Sequence, residues 1–111
     1  MIFTETILKG AYLIDVKPIE DERGFFSRSF CQEEFASRRL NTNVAQCNIS
    51  FNKKKGTLRG MHFQLTPKAE AKLVRCTRGA IYDVIIDLRP QSPTYCKWVA
   101  MELTVHNYKA L

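Results

Sequence analysis

The 111-residue chain contains no hydrophobic run near the ~20 residues that a membrane-spanning helix requires. Its opening, Met1-Ile2-Phe3-Thr4-Glu5, lacks the basic and apolar regions of a secretory signal. A soluble, cytoplasmic protein with no membrane partner is the expectation. The four cysteines, Cys31, Cys47, Cys76 and Cys96, lie 16, 29 and 20 positions apart, so no C-x-x-C pair supports a zinc ribbon or a thioredoxin-type redox site. With no secretory signal they are expected to be reduced and mostly buried. Repeats, low-complexity segments and linkers are also lacking, and the length suits a single domain over residues 1–111.

What is present is an ordinary globular balance, 45% apolar and 25% charged, which argues against disorder. Seventeen basic and eleven acidic side chains give a net charge of +6. That excess fits nucleic acid, a phosphorylated small molecule or no particular partner at all. The strongest nucleic-acid signal is Lys53-Lys54-Lys55, yet no aromatics interleave with it as in a base-stacking surface. It reads as a solvated turn tip, and no nucleic-acid partner is expected.

Most of the chain alternates with period two. Strands are expected at 11–16, 25–30, 44–51, 57–65, 71–77, 80–88 and 95–104, separated by Gly, Pro and charged turns. The segment Glu20-Asp21-Glu22-Arg23-Gly24 reads as a polar loop. Gln32 to Arg39 is the one helical stretch, with Phe35 facing inward and two glutamates in its first turn. Seven or so short strands indicate an all-β sandwich, jelly roll or barrel. Asp83 and Asp87 share a face of their strand and read as structural partners for arginines. Of Phe25 and Phe26, one is expected to pack inward.

The chemistry centres on Gly56-x5-His62-x-Gln64-x5-Glu70-x8-Gly79. This resembles the first motif of the cupin superfamily, in which two histidines and a glutamate commonly bind a metal. Here Gln64 stands in the place of the second histidine and is a poor ligand, so the expected metal site is none. Strand alternation puts His62 and Gln64 on one face. A narrower resemblance follows from Asp21-Glu22-Arg23-Gly24-Phe25-Phe26, Gln46-x-Asn48-x-Ser50, Arg59-Gly60-Met61-His62-Phe63-Gln64 and Lys72-Leu73-Val74-Arg75. Gly79-x-Ile81-x-Asp83-Val84 and Asp87-x-Arg89-x-x-Ser92-Pro93-Thr94 continue it in register. Together these resemble the N-terminal part of the dTDP-4-dehydrorhamnose 3,5-epimerase family, cofactor-free cupins of dTDP-L-rhamnose synthesis.

The resemblance implies an all-β, cupin-type jelly roll of antiparallel strands with one short helix. It also implies a dTDP-4-keto-6-deoxy sugar nucleotide as substrate, no cofactor, and a homodimer. The implied roles are His62 as the base that removes the proton beside the C4 ketone, and Lys72 as the cation that stabilises the enolate. Arg59 and Arg23 are implied to bind substrate and nucleotide, and Gln46 and Asn48 to contact nucleotide or sugar. Read as isolated residues, these are a packed strand histidine, a sheet-edge lysine, a loop arginine and satisfied strand polars. Arg28 and Cys47 depart from the family pattern, where a glutamate and an aspartate are common. Family members continue beyond the place of Leu111 with a Pro-x-Gly-x-x-His strand, then the tyrosine acid and the aspartate that partners the histidine. Neither His106 nor Tyr108 matches those groups. Two other readings are a related epimerase acting at C3 only and a non-catalytic sugar-nucleotide binding or assembly module.

Overall fold

A computed structural model describes all residues, Met1–Leu111. It contains six strands and one short helix: β1 (Ile2–Glu5), β2 (Tyr12–Asp15), β3 (Ile19–Asp21), β4 (Gly24–Phe26), α1 (Gln32–Ala36), β5 (Ala80–Ile86) and β6 (Trp98–Thr104). The strands form three antiparallel pairs, β1 with β2, β3 with β4 and β5 with β6. No closed barrel forms.

The β1–β2 pair runs in the register Ile2↔Asp15 to Glu5↔Tyr12. Its connection is closed by Glu5, whose carboxylate accepts from the Gly10 amide at 2.9 Å, and by the buried Leu8. β3 and β4 are joined by Glu22 and Arg23 alone. The expected polar loop is therefore a tight hairpin, and Gly24 supplies the φ of +130° that its exit demands. Helix α1 is shorter than the expected Gln32–Arg39, giving way to a turn in which Arg39 takes a φ of +59°. Phe35 is its buried residue, as expected, and packs edge-on against Phe3 at 5.3 Å and tilted against Phe30 at 4.8 Å. Glu34 pins α1 to the start of the chain, accepting from the N-terminal ammonium at 2.8 Å and from Arg28 at 3.1 Å.

The expected strands at 44–51 and 57–65 do not form, and that at 71–77 is reduced to a short bridge with the last residues, Arg75 to Ala110. Between residues 41 and 73 the backbone makes one backbone hydrogen bond, Lys68 N–H to Leu65 O at 2.8 Å. Strand-forming side chains do not make a strand without a neighbour to accept the ladder. The apolar residues of this stretch are accordingly exposed, Ile49 at 96% and Leu58 at 88%. The Cα radius of gyration is 15.2 Å, against about 13 Å for a compact chain of this length. The cysteines also differ from expectation. All four are free, but Cys47 and Cys96 are exposed and Cys31 and Cys76 only partly covered.

One joint organises the rest. Ala110 exchanges both backbone hydrogen bonds with Ile14 of β2, at 2.8 and 3.0 Å. Leu111 does the same with Val74, again at 2.8 and 3.0 Å. The end of the chain thus zips the N-terminal hairpin to the segment carrying Lys72.

A second organising contact lies after β5. Asp87, 4% exposed, accepts from Arg89 Nε and Nη2 at 2.8 Å each, Ser92 Oγ at 2.6 Å and Thr94 Oγ1 at 2.7 Å. The reading of Asp87 as an arginine partner is borne out. Arg89 foremost, then Ser92 and Thr94, hold its carboxyl far below the usual carboxylate range. A carboxyl with a lowered folded pKa stabilises the fold above its unfolded pKa, near 3.9, and that contribution is lost as pH falls through the folded value. Asp87→Asn is expected to lower the melting temperature by several degrees at neutral pH, with the gap narrowing in acid. Thermal unfolding of both proteins from neutral pH down to about pH 3 checks this, and equal melting temperatures at neutral pH would remove the role.

Candidate functional site

The segment around His62 is shaped by small local devices. The Thr57 hydroxyl donates to Lys54 O at 2.7 Å, and Gly56, with φ of +76°, closes the lysine turn. Gly60 also takes a positive φ, +96°, and a Cβ there would lie 3.1 Å from His62 Nδ1. Glycine is required twice over, for the backbone and for room beside the imidazole. The Leu65–Lys68 turn then reverses the chain, so that Glu70 and Lys72 return beside His62 and Gln64.

Lys72 Nζ lies 2.8 Å from Glu70 Oε1. That ammonium holds the Glu70 carboxyl below the usual carboxylate range against some desolvation, and Gln64 and His62 act in the same direction. His62, Gln64, Glu70 and Lys72 therefore form one electrostatic cluster. Strand β5 adds Asp83, opposite Met101 in the β5–β6 register and partly buried. Burial pushes its carboxyl above the usual range, while the nearby charge of Lys72 opposes the rise. The expectation that Asp83 pairs with an arginine is corrected: it makes no ion pair, and the charge that acts on its carboxyl is that of Lys72.

The other candidate residues are placed nearby in sequence but held by separate contacts. Arg59 donates through Nε to Asn52 Oδ1 at 2.7 Å and through Nη2 to Phe51 O at 3.3 Å. Asn48 Nδ2 donates to Gln46 Oε1 at 3.4 Å, so these two side chains do share a side of the extended segment. Arg23 sits at the β3–β4 tip and is engaged by Asp21, with Nη2 at 2.6 Å from Oδ2. Neither Phe25 nor Phe26 packs inward as expected: Phe25 is 42% exposed and lies edge-on against Tyr108 at 4.8 Å, and Phe26 is 75% exposed. Arg28, which departs from the resembled pattern, is spent on Glu34. The structure pairs Lys72 with Glu70, whose carboxyl also feels His62, and engages Arg23 with Asp21 and Asn48 with Gln46. Glu70 stood in the sequence motif without a role of its own, and Asp83 was read as a structural residue; the i, i+2 spacing of Glu70 and Lys72 was the available signal.

Residues 5–111 match the sequence profile of the family described as dTDP-4-dehydrorhamnose 3,5-epimerase. The chain belongs to that family. It is 44% identical over 107 residues to the dTDP-4-dehydrorhamnose 3,5-epimerase of Sinorhizobium fredii, a match covering 96% of this chain and 55% of the relative. The crystal structure of the epimerase from Bacillus anthracis, with TDP and PPi bound, superposes with a TM-score of 0.91 at 38% identity, covering 98% of this chain and 62% of that one. A further epimerase of the family, from Legionella pneumophila in complex with dTDP-4-keto-L-rhamnose, gives a TM-score of 0.77 at 30% identity over 98% of this chain and 57% of that one. The chain thus spans a little over half the length of the relatives it matches. Its mostly-strand architecture with one short helix corresponds to that part of the epimerase fold. No helix is long and apolar enough to cross a membrane.

Gly60→Ala tests how the family segment holds its histidine. Forcing an L-residue into this left-handed conformation costs roughly 1–2 kcal/mol. The added methyl should also displace the imidazole, shifting the His62 ring resonances in NMR while those of His106 stay fixed. Unmoved His62 resonances would show that Gly60 does not set the ring position.

Proposed function

We propose that this chain carries the proton-abstracting part of a nucleotide-sugar epimerase site acting on a dTDP-4-keto-6-deoxy sugar. The observation that carries this reading is His62 clustered with the Lys72–Glu70 ion pair inside the matched family segment. The ligands named for the solved relatives, TDP in one and dTDP-4-keto-L-rhamnose in another, support the substrate class.

The chemistry asked of the residues is proton removal beside a ketone. An imidazole is a general base suited to accepting such a proton. The electrons move onto the C4 oxygen, and Lys72 is the cation that meets the developing enolate charge. Arg59 and Arg23 supply planar, multidentate donors for diphosphate and base acceptors, and Gln46 and Asn48 supply neutral hydrogen bonds. Return of the proton on the other face needs an acid that none of these residues provides. A missing general acid costs about 10²–10⁴-fold, and incomplete positioning costs more. The 111 residues alone are therefore expected to bind the nucleotide weakly and turn over near background.

Incubation with dTDP-4-keto-6-deoxyglucose in deuterated water, followed by NMR, tests the reading and separates exchange at C3 alone from exchange at C3 and C5. Appending the remaining segment of a relative should restore exchange, and His62→Ala should abolish it. Restored exchange that survives His62→Ala would overturn the role of His62.

Two further outcomes are expected. Because Glu70 is committed to Lys72 and Gln64 stands where a ligand histidine would, chelator should leave melting temperature and exchange unchanged. One tightly bound metal per chain by elemental analysis would contradict this. The unladdered 41–73 segment, with its exposed apolar side chains, also supports a homodimer. A monodisperse monomer in solution scattering at high concentration would overturn it.

A further inference from the structure

A cleft of about 250 Å³ opens between the β3–β4 hairpin, residues 75–77 and the turn after β6. It shares no residue with the His62–Lys72 cluster. Phe25 and Tyr108, edge to face at 4.8 Å, form one wall. Arg75, Lys109, Ser29 and Thr77 supply polar groups. Arg75 makes no ion pair with any carboxylate of the chain. The hydroxyls of Ser29, Thr77 and Tyr108 likewise make no hydrogen bond within it. Lys109 is 2.9 Å from Asp15 and retains two further donors on its ammonium.

Residues far apart in sequence thus converge on one concavity as an unpaired guanidinium, a partly paired ammonium and free hydroxyls, beside an aromatic wall. That set is donor-rich and short of negative charge, which is the chemistry of a phosphate site. The volume lies below the ~300–1,000 Å³ of sites for drug-sized ligands, so the occupant is small. We propose that this cleft binds a phosphate monoester bearing a single flat ring, with the phosphate on Arg75 and the neighbouring hydroxyls and the ring against Phe25 and Tyr108. The site is independent of the epimerase reading and stands or falls without it.

Phenyl phosphate is the probe. Titrated into the isotope-labelled full chain, it should give saturable NMR shifts at Ser29, Arg75, Thr77 and Tyr108, and these should weaken as salt is added. Inorganic phosphate and phenol, each carrying half of the recognised chemistry, should bind more weakly. Arg75→Gln should weaken phenyl phosphate about tenfold or more, and Lys54→Gln on the solvated turn tip should leave it unchanged. Ser29→Asp, which places a negative charge in the cleft, is the second variant and should abolish the shifts. Shifts confined to His62 and Lys72, no saturable shifts, or equal affinity in both cleft variants and the parent would overturn the proposal.

Discussion

Ala110 and Leu111 hold the molecule together. Four backbone hydrogen bonds join them to Ile14 on one side and Val74 on the other. Ile14, Phe35 and Ala110 form the small core around this joint, with Phe3, Tyr12 and Leu40 packed on it. Neither the β1–β2 hairpin nor the 72–76 segment has another backbone link to the other. Because Lys72 lies two residues before Val74, the joint also fixes where the candidate cation can stand. The position of a site residue here follows from strand pairing at the end of the chain, forty residues away.

How much was legible in the sequence depended on where each strand finds its partner. β5 and β6 are joined by an eleven-residue connection fixed around Asp87, and their alternation predicted both strands to within a few residues. Phe35 was legible because one apolar residue in a short polar helix has only one way to be buried. The 44–51 and 57–65 segments carry equally good alternation but have no neighbour to complete a ladder, and 71–77 finds only Ala110 and Leu111, so pattern alone overstated all three. β3 was missed for the opposite reason: Ile19-Glu20-Asp21 has no apolar alternation, and its pairing is dictated by a two-residue turn and the left-handed Gly24. His62 and Lys72 came from a family pattern, and their clustering through Gln64 and Glu70 needed the Leu65–Lys68 reversal to be seen. Asp83 was misassigned because strand alternation gives a face and not a partner.

The charged pairs divide by how firmly they are held, and the division follows their proposed work. Asp87 is enclosed by Arg89, Ser92 and Thr94 with its carboxylate almost wholly covered, so removing any partner leaves a buried anion short of donors. That arrangement suits a fixed turn. Lys72 and Glu70 form a different kind of pair, with side chains 49% and 39% exposed. Exposed ion pairs contribute only about 0–1 kcal/mol. An enolate oxygen can therefore draw the Lys72 ammonium away from Glu70 at little cost.

The same reasoning extends to the arginines. Arg23 and Asp21 are 85% and 49% exposed on a hairpin tip, so Arg23 is as cheaply redirected as Lys72. Arg59 goes one step further. Its partners, the Asn52 amide oxygen and the Phe51 carbonyl, orient the guanidinium without neutralising it. A neutral cradle keeps the full positive charge available to an incoming diphosphate, whereas a carboxylate partner would first have to be displaced. The residues proposed to meet the substrate are thus held by contacts that set direction and yield easily, while the strongest electrostatic hold in the chain is kept for a turn that has no reason to move.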